Sequence, residues 1–301
     1  MAIDRDKPLL DLVDRQINIL NRLLSTSIKD LQKELNLVIE ANESLPQNKP
    51  DAKPLSTASL IASQARVKKI LNQIEFTLTQ YTTPAIASGY KSGKDIVDQL
   101  LKELGPLEQS FDRRAVNVLI KDMAKDYTTG INGARKNIDA FFKLSKQLQA
   151  TESELSEAVA KGLIKKGTIP SAKKELIKKF NDLYGEGNVI PVKMKNGKIR
   201  NYKVNTYSEL VARSRVGNAQ VEGTLQEASN YNVNTFLVSV HNTKTKVCMP
   251  HEGKTYTTDS NNRKFNLLTE KNKPLYHPNC QHRLLPNPLT KRELSALENV
   301  R

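Results

Sequence analysis

The sequence predicts an α+β protein with an all-helical N-terminal half followed by a small α+β domain. Two observations support this fold class. No glycine occurs before Gly89, and apolar residues recur there at helical spacing. Beyond about residue 188 the pattern changes to short runs around turn signals, which is typical of strands. We therefore divide the chain into a helical bundle or hairpin array at 1–150 and a basic α+β domain at 151–301.

The first helix is predicted from one continuous apolar stripe. Its members follow one another at steps of three or four: Leu10, Val13, Ile17, Leu20, Leu24, Ile28, Leu31, Leu35 and Val38. A stripe of this kind needs a partner, either in the same chain or in a second copy. We favour the intramolecular arrangement, because an antiparallel bundle requires such a face on each helix.

The remaining helices of the N-terminal half are predicted to be shorter. They cover about 56–80, 95–105, 114–124 and 131–148. A loop is expected at 83–93, because this stretch contains Pro84 and two glycines. A bend is expected near Gly130 for the same reason.

The C-terminal half begins with a capping box, Thr151-Glu-Ser-Glu154, which predicts the start of a new helix that ends near Gly167. Further helices are expected at 171–184 and 207–230. An Asn-Gly turn at 196–197 predicts a β-hairpin over 189–204. The run from 235 to 240 reads as a buried strand.

All four histidines and both cysteines of the chain lie between His241 and His282. They form two close pairs separated by about thirty residues, which is the layout of a structural zinc site. The candidate ligands are Cys248, His251, His277, Cys280 and His282. His277 is a fifth candidate that could replace a member or contact a ligand. Gly253 fits a tight turn next to the first pair. The sequence thus predicts a bound zinc ion that stabilises the small domain.

Other interpretations of this cluster stay open. Cys248 and Cys280 could form a disulfide, the clustering could be accidental, or the zinc could be catalytic with a bound water. Glu252 could then act as a general base of a metal-dependent nuclease. The chain has no phosphate-binding glycine loop, no Gly-x-Ser-x-Gly turn and no metalloprotease helix motif. These absences favour a protein that is not an enzyme.

Positive charge is concentrated in the second half. The formal net charge is +15, and the segment 161–203 alone contains 12 basic and 3 acidic residues. Such a segment would attract the phosphate backbone of double-stranded DNA without base selectivity, although many charged runs are simply solvated. The candidate DNA-binding residues are Lys165, Lys166, Lys173, Lys174, Lys178 and Lys179. Since no run of eighteen apolar residues and no signal peptide occur, we expect a soluble protein without a membrane partner.

The Cys/His segment resembles the C-terminal signature of the minor head proteins of tailed phages, the Mu F-like and minor capsid protein 2 groups. The corresponding stretches are Cys248-Met-Pro-His251, Gly253-Lys254-Thr-Tyr256 and His277-Pro-Asn-Cys280-Gln-His282. The order of motifs upstream also agrees, so the resemblance covers about 190–290. Many members carry cysteine at the positions of His251 and His282, and arginine is usual at Gln281.

This resemblance implies a structural role in the phage head. The expected protein is present in low copy in the virion, inside the head near the portal, and in the host cytoplasm during assembly. Its implied partners are the portal protein, other head proteins and packaged DNA, with a role in head assembly or genome delivery. The alternative is a zinc-dependent nuclease or a phage-borne toxin domain.

Overall fold

The computed structural model describes residues 7–44, 55–101, 112–160, 188–194, 196–274, 277 and 279–287. The helices in these residues are α1 (Lys7–Ser44), α2 (Thr57–Leu100), α3 (Arg113–Ala160) and α4 (Val204–Asn230). The strands are β1 (Asn188–Lys193), β2 (Ile199–Lys203), β3 (Thr235–Val238), β4 (Thr255–Thr257), β5 (Asn266–Leu267) and β6 (Leu284–Pro286). The predicted fold class, helices first and a small strand-containing region afterwards, is confirmed. No helix in the described part of the chain is long and apolar enough to cross a membrane.

The apolar stripe on α1 is confirmed. Seven of its nine predicted members are buried: Val13, Ile17, Leu20, Leu24, Leu31, Leu35 and Val38. Leu10 and Ile28 are half-buried. Leu9, which the prediction left out, is also buried and lies four residues before Val13, so it takes the first place in the stripe in which Leu10 was expected.

Helix α2 corrects the prediction of a loop at 83–93, because the helix continues through that stretch and includes Pro84. Proline in a helix interior costs about 3 kcal/mol. Here its ring is exposed, whereas Tyr81, Ala85 and Ile86 beside it are buried. Burial of this apolar face offsets the loss of one helical hydrogen bond.

Helix α3 corrects two further predictions. It runs without interruption through Gly130, where a bend was expected, and through Thr151, where a new helix was expected to begin. A Cβ atom at Gly130 would lie 2.3 Å from the ring of Tyr207, so this glycine provides room for an aromatic side chain. The predicted helix at 171–184 lies outside the described residues.

The chain forms two compact units. Unit 1 comprises Met1–Leu20, Gln80–Lys125 and Glu209–Arg301, and unit 2 comprises Asn21–Thr79 and Asp126–Ser208. Each unit combines segments from both sides of residue 150. The division into 1–150 and 151–301 therefore stays a prediction about which parts can fold alone.

Unit 1 contains a four-stranded sheet in the order β5-β4-β3-β6. Its buried core joins helical residues, such as Leu9 and Val97, to strand residues, such as Phe236 and Leu284. Within this unit α2 and α4 approach closely at small residues. A Cβ atom at Gly93 would lie 2.0 Å from the carbonyl oxygen of Gln220, and one at Gly223 would lie 2.1 Å from that of Tyr90.

Unit 2 contains the predicted hairpin, in which β1 pairs with β2 in antiparallel register. Gly197 has a φ of 80° at the turn, which explains the Asn-Gly signal because glycine adopts this conformation without steric cost. Asn137 of α3 donates to the carbonyl oxygen of Val189 and to the side chain of Asn201 at 3.1 and 3.2 Å. These hydrogen bonds link the hairpin to its helix.

Candidate metal centre

The two Cys/His arms of unit 1 meet because of the topology of its sheet. Strands β3 and β6 are antiparallel neighbours, with Val238 paired to Leu284. The first arm therefore begins at the end of the sheet at which the second arm finishes, because the last residue of β3 lies beside the first residue of β6. Two ligand pairs separated by about thirty residues are thus brought together by one strand pairing.

The first arm is a series of tight turns around Cys248. The Cys248 N–H donates to the carbonyl oxygen of Thr245 at 2.9 Å, and the His251 N–H donates to that of Cys248 at 2.8 Å. Gly253 closes these turns with a φ of 71°, and its N–H donates to Val238 at 3.1 Å. The predicted role of Gly253 in a tight turn is confirmed.

The second arm places Cys280 and His282 immediately before β6. Asn279 precedes Cys280 with a φ of 68°, a left-handed conformation that asparagine tolerates better than most residues. The Cys280 N–H donates to the carbonyl oxygen of His277 at 3.1 Å. This turn directs the Cys280 side chain towards the first arm.

Cys248, Cys280 and His282 form a buried group whose ligand atoms all lie within 4.8 Å of one another. The two Sγ atoms are 4.0 Å apart, and Cys280 Sγ lies 3.4 Å from His282 Nδ1. Around a tetrahedral zinc ion the corresponding distances would be about 3.8 and 3.5 Å, calculated from ordinary bond lengths. Both thiols are free, and their separation is far beyond a disulfide bond of about 2.05 Å. The group therefore fits a small thiophilic cation.

The electrostatics of this group favour a protonated thiol as long as no cation is present. Burial raises the pKa of Cys248 to about 12, and the neighbouring Cys280 acts in the same direction. A metal ion must therefore displace this proton, since the thiolate is the ligand form.

Glu252 lies next to the group and is held by hydrogen bonds. It accepts from the backbone N–H of His241, from that of Thr243 at 3.1 Å, and from His282 Nε2 at 3.3 Å. Burial acts to raise the pKa of Glu252, but these donors outweigh it and hold the pKa below its ordinary value. The opposite balance applies to His282: burial acts to lower its pKa, whereas Cys280 and Glu252 raise it and prevail.

The two other predicted ligands take different positions. Within the described residues, the three-member group contains neither His251 nor His277. The Nδ1 atom of His251 lies 2.7 Å from the hydroxyl oxygen of Tyr256, and burial followed by repulsion from Lys254 lowers the pKa of His251. His277 is half-buried. A metal-binding role for either histidine stays a prediction.

Sequence reasoning missed the polar residues that hold the second arm. Arg283 is buried, and its guanidinium donates to the carbonyl oxygens of Cys280 and His282 at 3.2 and 2.9 Å. It also donates to Gln220 at 2.8 Å, and Gln220 donates to the carbonyl oxygen of Leu9 at 2.7 Å. Arg283 directly follows His282 in the sequence, but nothing in the pattern indicated its burial.

Comparison with known proteins gives one match. The family model described as phage minor capsid protein 2 matches residues 9–287, which is most of the chain and includes the whole three-member group. Neither the curated proteins nor the solved structures gave a match. The six lysines predicted to bind DNA lie outside the described residues, although the family match spans them.

Proposed function

The chain belongs to the phage minor capsid protein 2 family, and from this premise we propose that it is a low-copy structural protein of the phage head that associates with the portal. As a phage minor capsid protein it is a component of the virion, and other head proteins are its partners. The observation that carries the proposal is the length of the match, which extends from α1 to the residue after β6. Association with the portal and a role in head assembly or genome delivery are the finer parts of the proposal.

We further propose that the metal is zinc and that its role is structural. Two thiolates and one imidazole form a ligand set that suits zinc. The three side chains are buried in unit 1 and belong to two loops that the pairing of β3 with β6 brings side by side. When bound, zinc would supply a crosslink between these loops. The sequence predicts His251 and one of His277 and His282 as ligands beside the two cysteines, so we propose His251 as the fourth ligand beside His282.

Contact with packaged DNA is the third part of the proposal. The net charge of +15 and the 12 basic residues of the segment 161–203 support it. A protein inside a DNA-filled head is surrounded by phosphate, and contacts of this kind depend strongly on salt but little on base sequence. We propose that the predicted lysines make these contacts.

A zinc-dependent nuclease is the alternative function, with Glu252 as its general base. The hydrogen bonds that Glu252 accepts from two backbone N–H groups and from His282 argue against this role, because they stabilise the ionised carboxylate, lower its pKa and so make it a weaker base. A nuclease assay on the metal-loaded protein, with and without chelator, separates the two functions. Cleavage that requires metal would favour the enzyme.

Fractionation of purified virions tests the structural role directly. The chain should be present at a fixed, low ratio to the portal protein in full heads, and it should withstand washes that remove loosely adsorbed protein. Comparison of particles before and after DNA release then shows whether it stays in the head or leaves with the genome. If the chain is missing from purified virions while it is abundant in infected cells, the proposal is wrong.

Salt-dependent DNA binding tests the lysines. For the purified protein, the logarithm of the affinity for duplex DNA should fall linearly with the logarithm of the salt concentration, equally for unrelated sequences. Changing Lys173, Lys174, Lys178 and Lys179 together to glutamine should reduce the slope by about 0.9 for each lost phosphate contact. If this variant binds with the parent's affinity and slope, the lysines are solvated surface residues.

A further inference from the structure

The two ring nitrogens of His282 face different groups. Nδ1 lies 3.4 Å from Cys280 Sγ, whereas Nε2 lies 3.3 Å from Glu252 Oε1. The ring is buried, with 3% of its side chain exposed. The two nitrogens therefore have different neighbours. One faces a sulfur atom, and the other faces a carboxylate oxygen.

The position of Glu252 is fixed independently of His282. Its carboxylate accepts hydrogen bonds from the backbone N–H groups of His241 and Thr243, and its side chain is 12% exposed. A carboxylate in such a position can only accept, so the proton of a neutral imidazole must lie on Nε2. The lone pair of Nδ1 then points towards the sulfur of Cys280.

The ring of His241 restricts His282 further. The two ring centroids are 5.1 Å apart, and the ring planes meet at 84°, which is a favourable edge-to-face arrangement. His241 is itself held, since its Nε2 lies 2.9 Å from the hydroxyl oxygen of Ser239. Rotation of the His282 ring would break both this packing and the hydrogen bond to Glu252.

From this geometry, and resting on the metal site of the proposed function, we propose that Glu252 is a positioning residue that makes His282 bind the metal through Nδ1. Glu252 accepts the Nε2 proton and holds the imidazole in one orientation and one tautomer. A carboxylate behind a ligating histidine generally fixes the ring and strengthens the bond to the metal. The role differs from that of a general base, because the carboxylate acts through His282 and takes no proton from a water or a substrate.

Nitrogen NMR on the zinc-loaded, full-length protein tests the proposal without any substitution. The chain contains four histidines, so long-range proton–nitrogen spectra of histidine-labelled protein should resolve each ring. We expect His282 Nδ1 to show the shift of a metal-bound nitrogen and Nε2 that of a protonated nitrogen. Coordination through Nε2 would overturn the proposal while leaving the metal site intact. Failure of the protein to bind zinc would instead overturn the metal site itself.

Substitutions of Glu252 provide the second test. Glu252→Ala should weaken zinc binding by about 10- to 100-fold, and the spectrum of His282 should show a mixture of the two coordination modes. Glu252→Gln retains an acceptor oxygen, so it should lose less affinity and keep Nδ1 coordination.

Glu270 provides the matched control, because it is a carboxylate on a neighbouring loop with 90% of its side chain exposed. Glu270→Gln should bind zinc like the parent. Equal zinc affinity for Glu252→Ala and the parent, with Nδ1 coordination unchanged, would show that Glu252 has no positioning role.

Discussion

The two compact units hold their helices in different ways. In unit 2 the ion pairs between helices are partly exposed; Lys68 and Asp139, for example, have 48% and 52% of their side chains exposed. In unit 1 the Lys94–Glu227 pair is almost fully buried, at 5% and 0%, and two helix backbones approach at glycines. Unit 1 also contains the candidate metal ligands. Unit 1 therefore combines a buried ion pair and close backbone contacts with partly exposed pairs such as Arg213–Asp14, whereas the described ion pairs between the helices of unit 2 are all partly exposed.

The largest effect should come from removing a metal ligand. Cys280→Ala should abolish zinc binding and lower the free energy of unfolding of unit 1 by on the order of 5 kcal/mol, since structural zinc contributes roughly 10 kcal/mol or more in small zinc domains. Denaturant unfolding with zinc and with chelator measures this loss.

The matched control for Cys280→Ala is Val189→Ala, which truncates a buried side chain of unit 2. It should destabilise the protein equally in both conditions, because it removes no metal ligand. If Cys280→Ala had the stability of the parent in the presence of zinc, the comparison between the units would fail.

A smaller effect is expected at the contact between α2 and α4. In Gly93→Ala the new Cβ atom would start 2.0 Å from the carbonyl oxygen of Gln220, so one of the two helices must move, at a cost of about 3 kcal/mol. Because the Gln220 side chain holds Arg283, zinc affinity should fall as well. Thermal unfolding and zinc titration measure the two effects.

Gly133→Ala in unit 2 is the control for Gly93→Ala. The atoms nearest to its Cβ atom would be ring carbons of Pro191, at 2.9 Å, which is a smaller overlap than the one at Gly93. Alanine's better helix propensity, worth about 1 kcal/mol, should offset most of this strain. Equal destabilisation by the two variants would contradict the difference between the units.

The buried ion pair should give the third effect. Lys94→Met leaves Glu227 buried without its cation at 2.8 Å, and breaking such a pair by removing one partner costs about 3–5 kcal/mol. The loss in free energy of unfolding for Lys94→Met should be similar in size to that for Gly93→Ala. It is therefore compared with the loss for Lys68→Met, whose exposed ion pair should contribute about 1 kcal/mol or less. Similar losses for both variants would mean that burial does not distinguish the two pairs.

The features that the sequence predicted are those that repeat or that lie close together in the chain. The α1 stripe and the hairpin at Gly197 belong to this class. The grouping of Cys248 with Cys280 and His282 joins residues about thirty positions apart, and it was predicted from residue types that share one chemistry. The wrong predictions at 83–93 and at Gly130 have a common cause: both interpreted glycine, and at 83–93 also Pro84, as a helix breaker. In the structure these glycines provide room for α4 or for Tyr207, and such contacts between distant segments leave no periodic signal.

The same limit applies to the supporting residues of the metal centre. Arg283 and Gln220 are 63 positions apart in the chain, and only the pairing of distant segments brings them together.

The prediction that 1–150 can fold alone has a direct test in limited proteolysis. A stable fragment of about that length would support the division, whereas its rapid degradation would show that unit 1 needs its C-terminal strands.

The metal content of the purified protein tests the central claim most directly. Protein prepared without chelator should contain one equivalent of zinc per chain, measured by elemental analysis. The Cys280→Ala protein prepared in the same way should contain essentially none. Less than about a tenth of an equivalent in the parent would contradict the metal centre, because a structural zinc ion held by roughly 10 kcal/mol or more does not dissociate during purification.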